Sequence, residues 1–484
     1  MKQNGTHSFL KDFFTLGIGT FLYMIIGLIG TPIITRLVDP TDYGQMSIIT
    51  VYSNFGLMFC GLGLDQTLVR FFYRKEDTDY QRNLLYSCCK LPALIGLGAG
   101  ILLLISHFLG LQWLTLTELI LLAINVIVLI IHRYAMLLMR LRYHSKLYSL
   151  VNIIQKVSYI VLTVVLVLLI NDHHFVILAV ATILSTLLAS IIAMIFERDL
   201  WRLPKRMGAS AVSQSELLKY GLPLMLSSSI TVLFNGLDKL FIEHFCTLSD
   251  VGIYASAMNL IAVFSIIKTS FTTIWMPAAV NHYEKNPEDT SFFQKGHAFI
   301  SIVMLCFGAA VILFKDVFVL LLGEEYHSAS FILPYLMFEP IMYTISETTT
   351  TGIVVQKKSA YQIIVACGSC AANFVGNLIL TPLMGPQGAA LSTGLSYVLF
   401  FVLRTVFANR VFYVRYGLHR LAISVIALFG FAFYGSNNTF SWLTVVLFLA
   451  VIAVIILAYR KDLGHAIQIG KNMVGKFLKK KQAN

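Results

Sequence analysis

Seven charged side chains read as intramembrane candidates among the apolar runs long enough to cross a bilayer: Lys156, Lys239, Lys268, Asp65, Asp238, Glu339 and Glu347. A charge at mid-membrane costs about 2.5–3.5 kcal/mol on insertion scales, so it faces a partner inside a bundle or a watery cavity. The chemistry open to such groups is ion binding. An ammonium can hold an anion, and a carboxylate can carry a proton or a cation. Lys268 stands out because it lies roughly 24 Å of helix from the outer end of its run, counted at 1.5 Å per residue. No acid on its own helix can pair with it. It reads as a cavity-facing anion-binding group, with Lys239 and Arg36 as helpers. Glu339 precedes Pro340 and is the strongest candidate for a proton or cation site. Asp238 and Lys239 are neighbours, so they point about 100° apart and need not neutralise each other. Asp65 and Arg70, near the other end of their run, are an ion-coupling and a substrate-binding candidate; an ordinary interfacial role is the default for both. Lys156 reads as one half of a structural pair.

Bond-breaking chemistry finds no support. There is no phosphate-cradling glycine loop, no HExxH and no acidic pair at a loop tip. His132 and His244 are isolated, as satisfied histidines at helix ends are. Cys367-Gly-Ser-Cys370 has CxxC spacing but no second thiol pair or His cluster beside it. The seven cysteines lie in apolar runs or on the basic loop side, so disulfides are not expected. No metal, cofactor or enzymatic activity is expected.

The elements that must position these charges are membrane helices. The chain has 484 residues, 57% hydrophobic and 12% charged, with a mean hydropathy of +0.77. Soluble domains carry about 25% charged residues. Barrel strands would alternate apolar and polar, whereas these runs are continuous. The first run, 13–35, is too long for a signal-peptide core and has no small-residue cleavage site, so it is expected to be retained. About fourteen segments follow from hydropathy: 13–35, 43–66, 84–108, 113–137, 148–170, 174–196, 217–243, 252–278, 293–314, 328–350, 360–383, 386–408, 418–436 and 440–459.

Loop charge sets the orientation. Lys and Arg fall on one set of loops, among them Arg70, Arg74, Lys75, Arg82, Arg133, Arg140, Arg142, Lys357, Lys358, Arg404 and Arg410. The opposite loops hold only Arg36 and Lys315. The positive-inside rule therefore puts both termini in the cytoplasm. It also explains the net charge of +12 without nucleic acid as a partner. A polar stretch, Glu197 to Glu216, with Pro204 and Gly208, reads as a linker between two lobes. The expected division is 1–205, 206–410, and a terminal pair with a basic tail over 411–484. The tail from Leu463 has helical apolar spacing and ends in Lys479, Lys480 and Lys481, which suits anionic lipid.

A weak repeat links the lobes. Aligning Gly44 with Gly252 sets Asp42 on Asp250, Thr41 on Ser249 and Arg36 on His244. Both copies place a hydroxyl residue and an acid where a helix N-terminus needs a cap. Because the first and seventh helices leave the same side, the repeat is parallel. Gly17, Gly19, Gly27 and Gly30 with Pro32 thin the first helix, for packing or bending, and Pro223, Pro277, Pro334 and Pro340 mark expected kinks.

Four stretches carry a family resemblance: GTPIITRLVDPTDYGQMSIITVYSNF (30–55), GLGLDQTLVRFF (61–72), LDKLFIEHFCTLSDVGIYASAMNL (237–260) and TPLMGPQGAALSTGLSYVLF (381–400). They resemble polysaccharide and O-antigen flippases of the multidrug/oligosaccharidyl-lipid/polysaccharide exporter superfamily. The resemblance spans nearly the whole chain. It implies two six-helix bundles with two extra helices, around a cavity lined by helices 1, 2, 7 and 8. It implies outward flipping of a polyprenyl-pyrophosphate-linked glycan by alternating access, driven by an ion gradient of H+ or Na+. The family's acidic–basic pair near the end of helix 7 is matched by Asp238-Lys239. A bacterial cytoplasmic-membrane location and a monomer are expected. The alternatives are a multidrug or lipid II exporter of the same superfamily, or a membrane glycan polymerase. The polymerase lacks the large external loop and loop-tip acids it would need.

Overall fold

The structure, a computed structural model, describes residues 2–110, 114–170, 172–203, 212–462 and 464. Among them all regular elements are helices, with no strand. This is what continuous apolar runs require, since a helix satisfies its backbone groups internally. Ten helices are long and apolar enough to cross a membrane, or eleven if the bent pair Pro40–Gly61 and Leu64–Arg74 is one span. The protein is a multi-pass, all-helical membrane protein. Gly19–Thr35 and Trp442–Ala458 are shorter apolar helices, and the run 328–350 is divided, so this measure does not reach fourteen. The division has a local cause. Pro334 and Pro340 sit in the first turns of two short helices, where a missing N–H costs nothing. Pro223 and Pro277, by contrast, lie inside unbroken helices. The tail beyond Gly464 and residues 204–211 of the expected linker lie outside the described residues.

The chain divides into two compact units: Met1–Glu243 with Thr247–Ala255, and His244–Cys246 with Ser256–Asn484. The first holds α1 (Lys2–Thr35), α2 (Pro40–Gly61), α3 (Leu64–Phe71), α4 (Thr78–Phe108), α5 (Leu116–Leu141), α6 (Ser145–Leu169), α7 (His174–Phe196) and α8 (Arg198–Trp201). It also takes nearly all of α9 (Gln214–Phe245) and the first turns of α10 (Leu248–Lys285). The glycine face of α1 packs on α6. A Cβ on Gly19 would meet Ser149, one on Gly30 would meet Ile160, and Gly27 lies over the Lys156 stem. Close helix approach, rather than bending, is the use of these glycines. The Lys156 ammonium lies 5.8 and 5.6 Å from the ring centres of Tyr23 and Tyr159. It meets aromatic faces there, not the carboxylate expected of a structural pair, and no described carboxylate lies within salt-bridge distance.

The repeat is physical. Gly44 of α2 and Gly252 of α10 lie against each other, and each leaves room for the other helix's first turn. A Cβ on Gly44 would sit 1.9 Å from the Leu248 carbonyl oxygen; one on Gly252 would sit 2.0 Å from that of Pro40. Pro40 and Leu248 correspond under the alignment that pairs the glycines. The caps correspond too, but two residues earlier than the sequence reading put them. Asp39 accepts from the Thr41 and Asp42 amides. Thr247 Oγ1 accepts from the Asp250 amide while Asp250 accepts from the Thr247 amide. The acid at the expected place in the second copy thus closes a reciprocal box rather than capping alone.

The second unit holds α11 (Ser291–Leu313), α12 (Lys315–Val319), α13 (Leu333–Leu336), α14 (Phe338–Thr349), α15 (Thr351–Val355), α16 (Ser359–Met384), α17 (Pro386–Asn409), α18 (Leu418–Gly435) and α19 (Trp442–Ala458). Helices α16 and α17 are joined by buried polar groups. Asn373 Nδ2 donates to Thr393 Oγ1 at 3.0 Å, and Ser392 Oγ donates to the Asn373 carbonyl at 2.9 Å. In hydrocarbon such bonds hold helices together. Lys315, expected in a loop, is 1% exposed, bonds Asp316 at 2.8 Å and lies over Phe331. Asp316 also accepts from the Phe440 amide. Lys315 is therefore a buried strut, not a free loop charge.

Candidate functional site

The helix break between α2 and α3 builds the first candidate site. Leu62 and Gly63 both take left-handed φ values, 50° and 68°, and the two helices meet at 52°. A Cβ on Gly63 would lie 2.1 Å from the Gly221 carbonyl oxygen, so only glycine allows α9 this close. The bend puts Asp65 in the first turn of α3, where its Oδ2 accepts from Arg133 Nε at 2.9 Å and Nη2 at 2.7 Å. The pair borders a cavity of about 250 Å³ lined by α2, α5 and α9, including Asn54, Tyr134, Met225, Ser228 and Val232. Loop charge alone predicts Arg133 outside the membrane. It belongs to α5, two turns before the end, because the helix continues through apolar residues to Leu141. Arg70, on the same short helix as Asp65, is exposed and does not line this cavity.

The second site is on one face of α14. Glu339, Tyr343 and Glu347 are spaced i, i+4, i+8, so they stack along the helix. Lys268 Nζ lies 3.7 Å from Glu339 Oε1 and 3.8 Å from the Tyr343 ring centre. Arg404 of α17 donates to Glu347 Oε1 at 2.6 Å and to Ser346 Oγ at 2.8 Å. Its guanidinium lies 5.6 Å from the same Tyr343 ring, which stacks on Phe400 at 5.7 Å. Tyr343 thus has both cations near its ring, one from each ion pair.

The pairs differ in depth. The Arg404–Glu347 side chains are 10% and 3% exposed; those of Lys268 and Glu339 are 23% and 16%. The first is short, charge-assisted and closed, as a structural tie is. The second is longer and more open, so a competing anion can reach the ammonium. Lys268 and Glu339 entered the sequence reading in separate roles, and the structure brings them into one pair. Arg404, counted as a loop residue, is instead 8% exposed within α17.

The remaining candidates lie in the first unit. Arg36 is exposed in the turn after α1. Asp238 of α9 is buried and accepts from Tyr254 Oη at 2.5 Å, a bond across the α9–α10 turn; Lys239 beside it is half-buried. Tyr52 Oη donates to Glu243 Oε2 at 2.9 Å, tying α2 to α9 near the same turn. One described trio has metal-ligand side chains close together, Asp39, Asp42 and His174. Asp39 there is already engaged as the α2 cap. None of the seven cysteines is in a disulfide.

The family model for polysaccharide biosynthesis proteins matches residues 9–282. The chain belongs to the polysaccharide biosynthesis protein family. No curated protein sequence matches it. Among solved structures, the lipid II flippase MurJ in an inward closed conformation matches this family member with a TM-score of 0.69. The identity is 13%, over 92% of this chain and 99% of MurJ. An inward-facing multidrug resistance MATE family transporter of the MOP superfamily matches with a TM-score of 0.55 at 15% identity, over 80% of this chain and 94% of its own. The family member therefore has the fold of the MOP superfamily, whose neighbours here are a flippase and transporters, not enzymes.

The sequence reading missed Tyr343, Arg133 and Arg404. Tyr343 had a signal, the i+4 spacing from both acids. Arg133 and Arg404 each have apolar residues on both sides, which marks a charge inside a helix rather than after it.

Proposed function

We propose that this protein moves a polyprenyl-pyrophosphate-linked oligosaccharide across the bacterial cytoplasmic membrane, from the inner to the outer leaflet, for cell-surface polysaccharide synthesis. Membership of the polysaccharide biosynthesis family supports the substrate class. The observation that carries the reading is Lys268: an ammonium deep in a membrane helix, half-open, and held by a single loose carboxylate contact. A pyrophosphate brings about two negative charges, and each contact to it is strengthened where water is scarce. As the phosphate takes the ammonium, the Lys268–Glu339 contact is released, which favours binding of a proton or Na+ by Glu339. Substrate and ion binding are then linked, because each shifts the other's affinity by the same factor. Tyr343 keeps the ammonium in place through the exchange, since a cation over an aromatic face is worth about 0.5–2 kcal/mol.

In this reading the lobes are 1–205 and 206–410, with 411–484 as the terminal pair and tail, and both termini are cytoplasmic. Arg36 and Lys239 assist the phosphates, Asp65 and Asp238 assist coupling, and Arg70 guides the headgroup at the entrance. Arg133 joins Asp65 as a first contact for the anion. A drug exporter for organic cations would gain nothing from Lys268 and would be repelled by it.

The test is flipping of a fluorescent lipid-pyrophosphate oligosaccharide in proteoliposomes. Lys268→Ala should abolish it and Lys268→Arg should keep part of it. Flipping by Lys268→Ala at the wild-type rate sinks the anion-site reading.

A further inference from the structure

We propose that the groove where α18 begins and α19 ends binds the phosphate headgroup of an anionic phospholipid of the surrounding bilayer. The two helices are antiparallel neighbours, so Leu418 and Ala458 lie at one end of the pair. Between them is a cavity of about 330 Å³ lined by His419 and Arg420 from α18 and by Arg460 and Lys461 just beyond α19. Its apolar wall includes Ile423 and Leu457.

Charge decides the sign of the ligand. The permanent cations are Arg420, Arg460 and Lys461. The acid facing them among the described residues is Asp462, which is bonded to Arg420. Arg460, Lys461 and His419 are exposed, and none has an ion-pair partner among the described residues. The first turn of α18 adds to the same field. Its N-cap is Gly417, with no side-chain cap, so the positive end of the helix dipole there is not offset by a capping side chain.

Depth decides between a lipid and a soluble anion. α19 is an apolar helix of 17 residues. At 1.5 Å per residue it spans about 25 Å, nearly the hydrocarbon thickness, so the residues after Ala458 lie at headgroup level. Ile423 and Leu457 are 54% and 66% exposed, one turn or less below the cations. Cations at the rim and open apolar side chains beneath match a charged head above acyl chains, the usual form of a basic lipid pocket between helices.

This inference does not depend on the flippase reading, and its test does not measure transport. The full-length protein is placed in vesicles of phosphatidylcholine with a minor fraction of phosphatidylglycerol, and retained lipid is counted by native mass spectrometry. Wild type should retain phosphatidylglycerol selectively. Each cation of this kind is worth roughly fivefold near a membrane surface, so Arg460→Gln with Lys461→Gln should weaken retention about twenty-five-fold. Arg460→Lys with Lys461→Arg should keep it, and so should a variant with Lys479, Lys480 and Lys481 all changed to Gln. Melting temperatures in pure phosphatidylcholine should agree across the set, since the substituted side chains are exposed.

Unchanged retention in the Arg460/Lys461 variant overturns the proposal, as does loss confined to the tail variant. Displacement of the lipid by millimolar inorganic phosphate, with no effect of Leu457→Gln, would show an anion site with no lipid component and would overturn it as well.

Discussion

Gly44→Ala is the sharpest perturbation this fold offers. The added Cβ would lie 1.9 Å from the Leu248 carbonyl oxygen and 2.8 Å from the Gly252 amide nitrogen. Carbon–oxygen contacts settle near 3.3–3.6 Å, so α2 and α10 would have to part by about 1.5 Å at their first turns. Both obstacles are backbone, so no rotamer change relieves them. Overpacking of this kind costs about 1–3 kcal/mol, which is roughly fivefold to 150-fold in the population of the closed arrangement. Gly252→Ala should act alike, because its Cβ meets the Pro40 carbonyl oxygen at 2.0 Å. If these two helix ends part during transport, either variant should favour the parted state. The assay is the rate at which an impermeant thiol reagent labels a single cysteine at Tyr43 in intact cells, in a background without the seven native thiols. Labelling should rise about fivefold or more in Gly44→Ala, rise further in Gly44→Val, and be matched by Gly252→Ala. Equal labelling of wild type and all three variants would refute the reasoning, because the contact would then not hold these ends together.

Three further outcomes are expected. Glu339→Gln should leave the protein inserted but uncouple transport from the ion gradient, read as flipping that no longer responds to an imposed pH or Na+ step; unchanged coupling reassigns Glu339 to a structural tie. Asp65→Asn leaves Arg133 without its counter-charge beside the 250 Å³ cavity. It should tighten binding of the lipid-pyrophosphate and slow its release, seen as a lower KM with a lower turnover, whereas Arg133→Gln should raise KM. For topology, cysteines at Asp172 and Asn437 should react with an impermeant reagent in intact cells and cysteines at Lys75 and Lys357 should not. Labelling at Lys75 would overturn the positive-inside assignment.

Much of this fold can be read from periodicity, because long apolar runs leave the backbone one solution. The Gly44–Gly252 repeat can be read as well, and the structure makes it a contact rather than a mere likeness. Three things escaped. The Lys268–Glu339 pair joins residues far apart in sequence, and no helical spacing reveals that. Arg404 and Arg133 read as loop charges by the sign of their side chains, although both fall within apolar runs that fold as α17 and α5. Asp238 looked like a free intramembrane acid; its partner, the Tyr254 hydroxyl, lies beyond a helix turn, where periodicity arguments stop. In each case the missing information was which helices touch, and packing rather than pattern decides that.

What the protein carries across the bilayer can be measured directly. Purified protein in proteoliposomes, loaded with fluorescent lipid-pyrophosphate oligosaccharide in both leaflets, would be given a membrane-impermeant quencher of the fluorophore. In protein-free vesicles only the outer-leaflet half should be quenched. With the protein and an ion gradient, the remaining half should become accessible within minutes, and a fluorescent organic cation in parallel vesicles should not move. Transport of the organic cation with no movement of the lipid would contradict the central claim and make the protein a drug exporter.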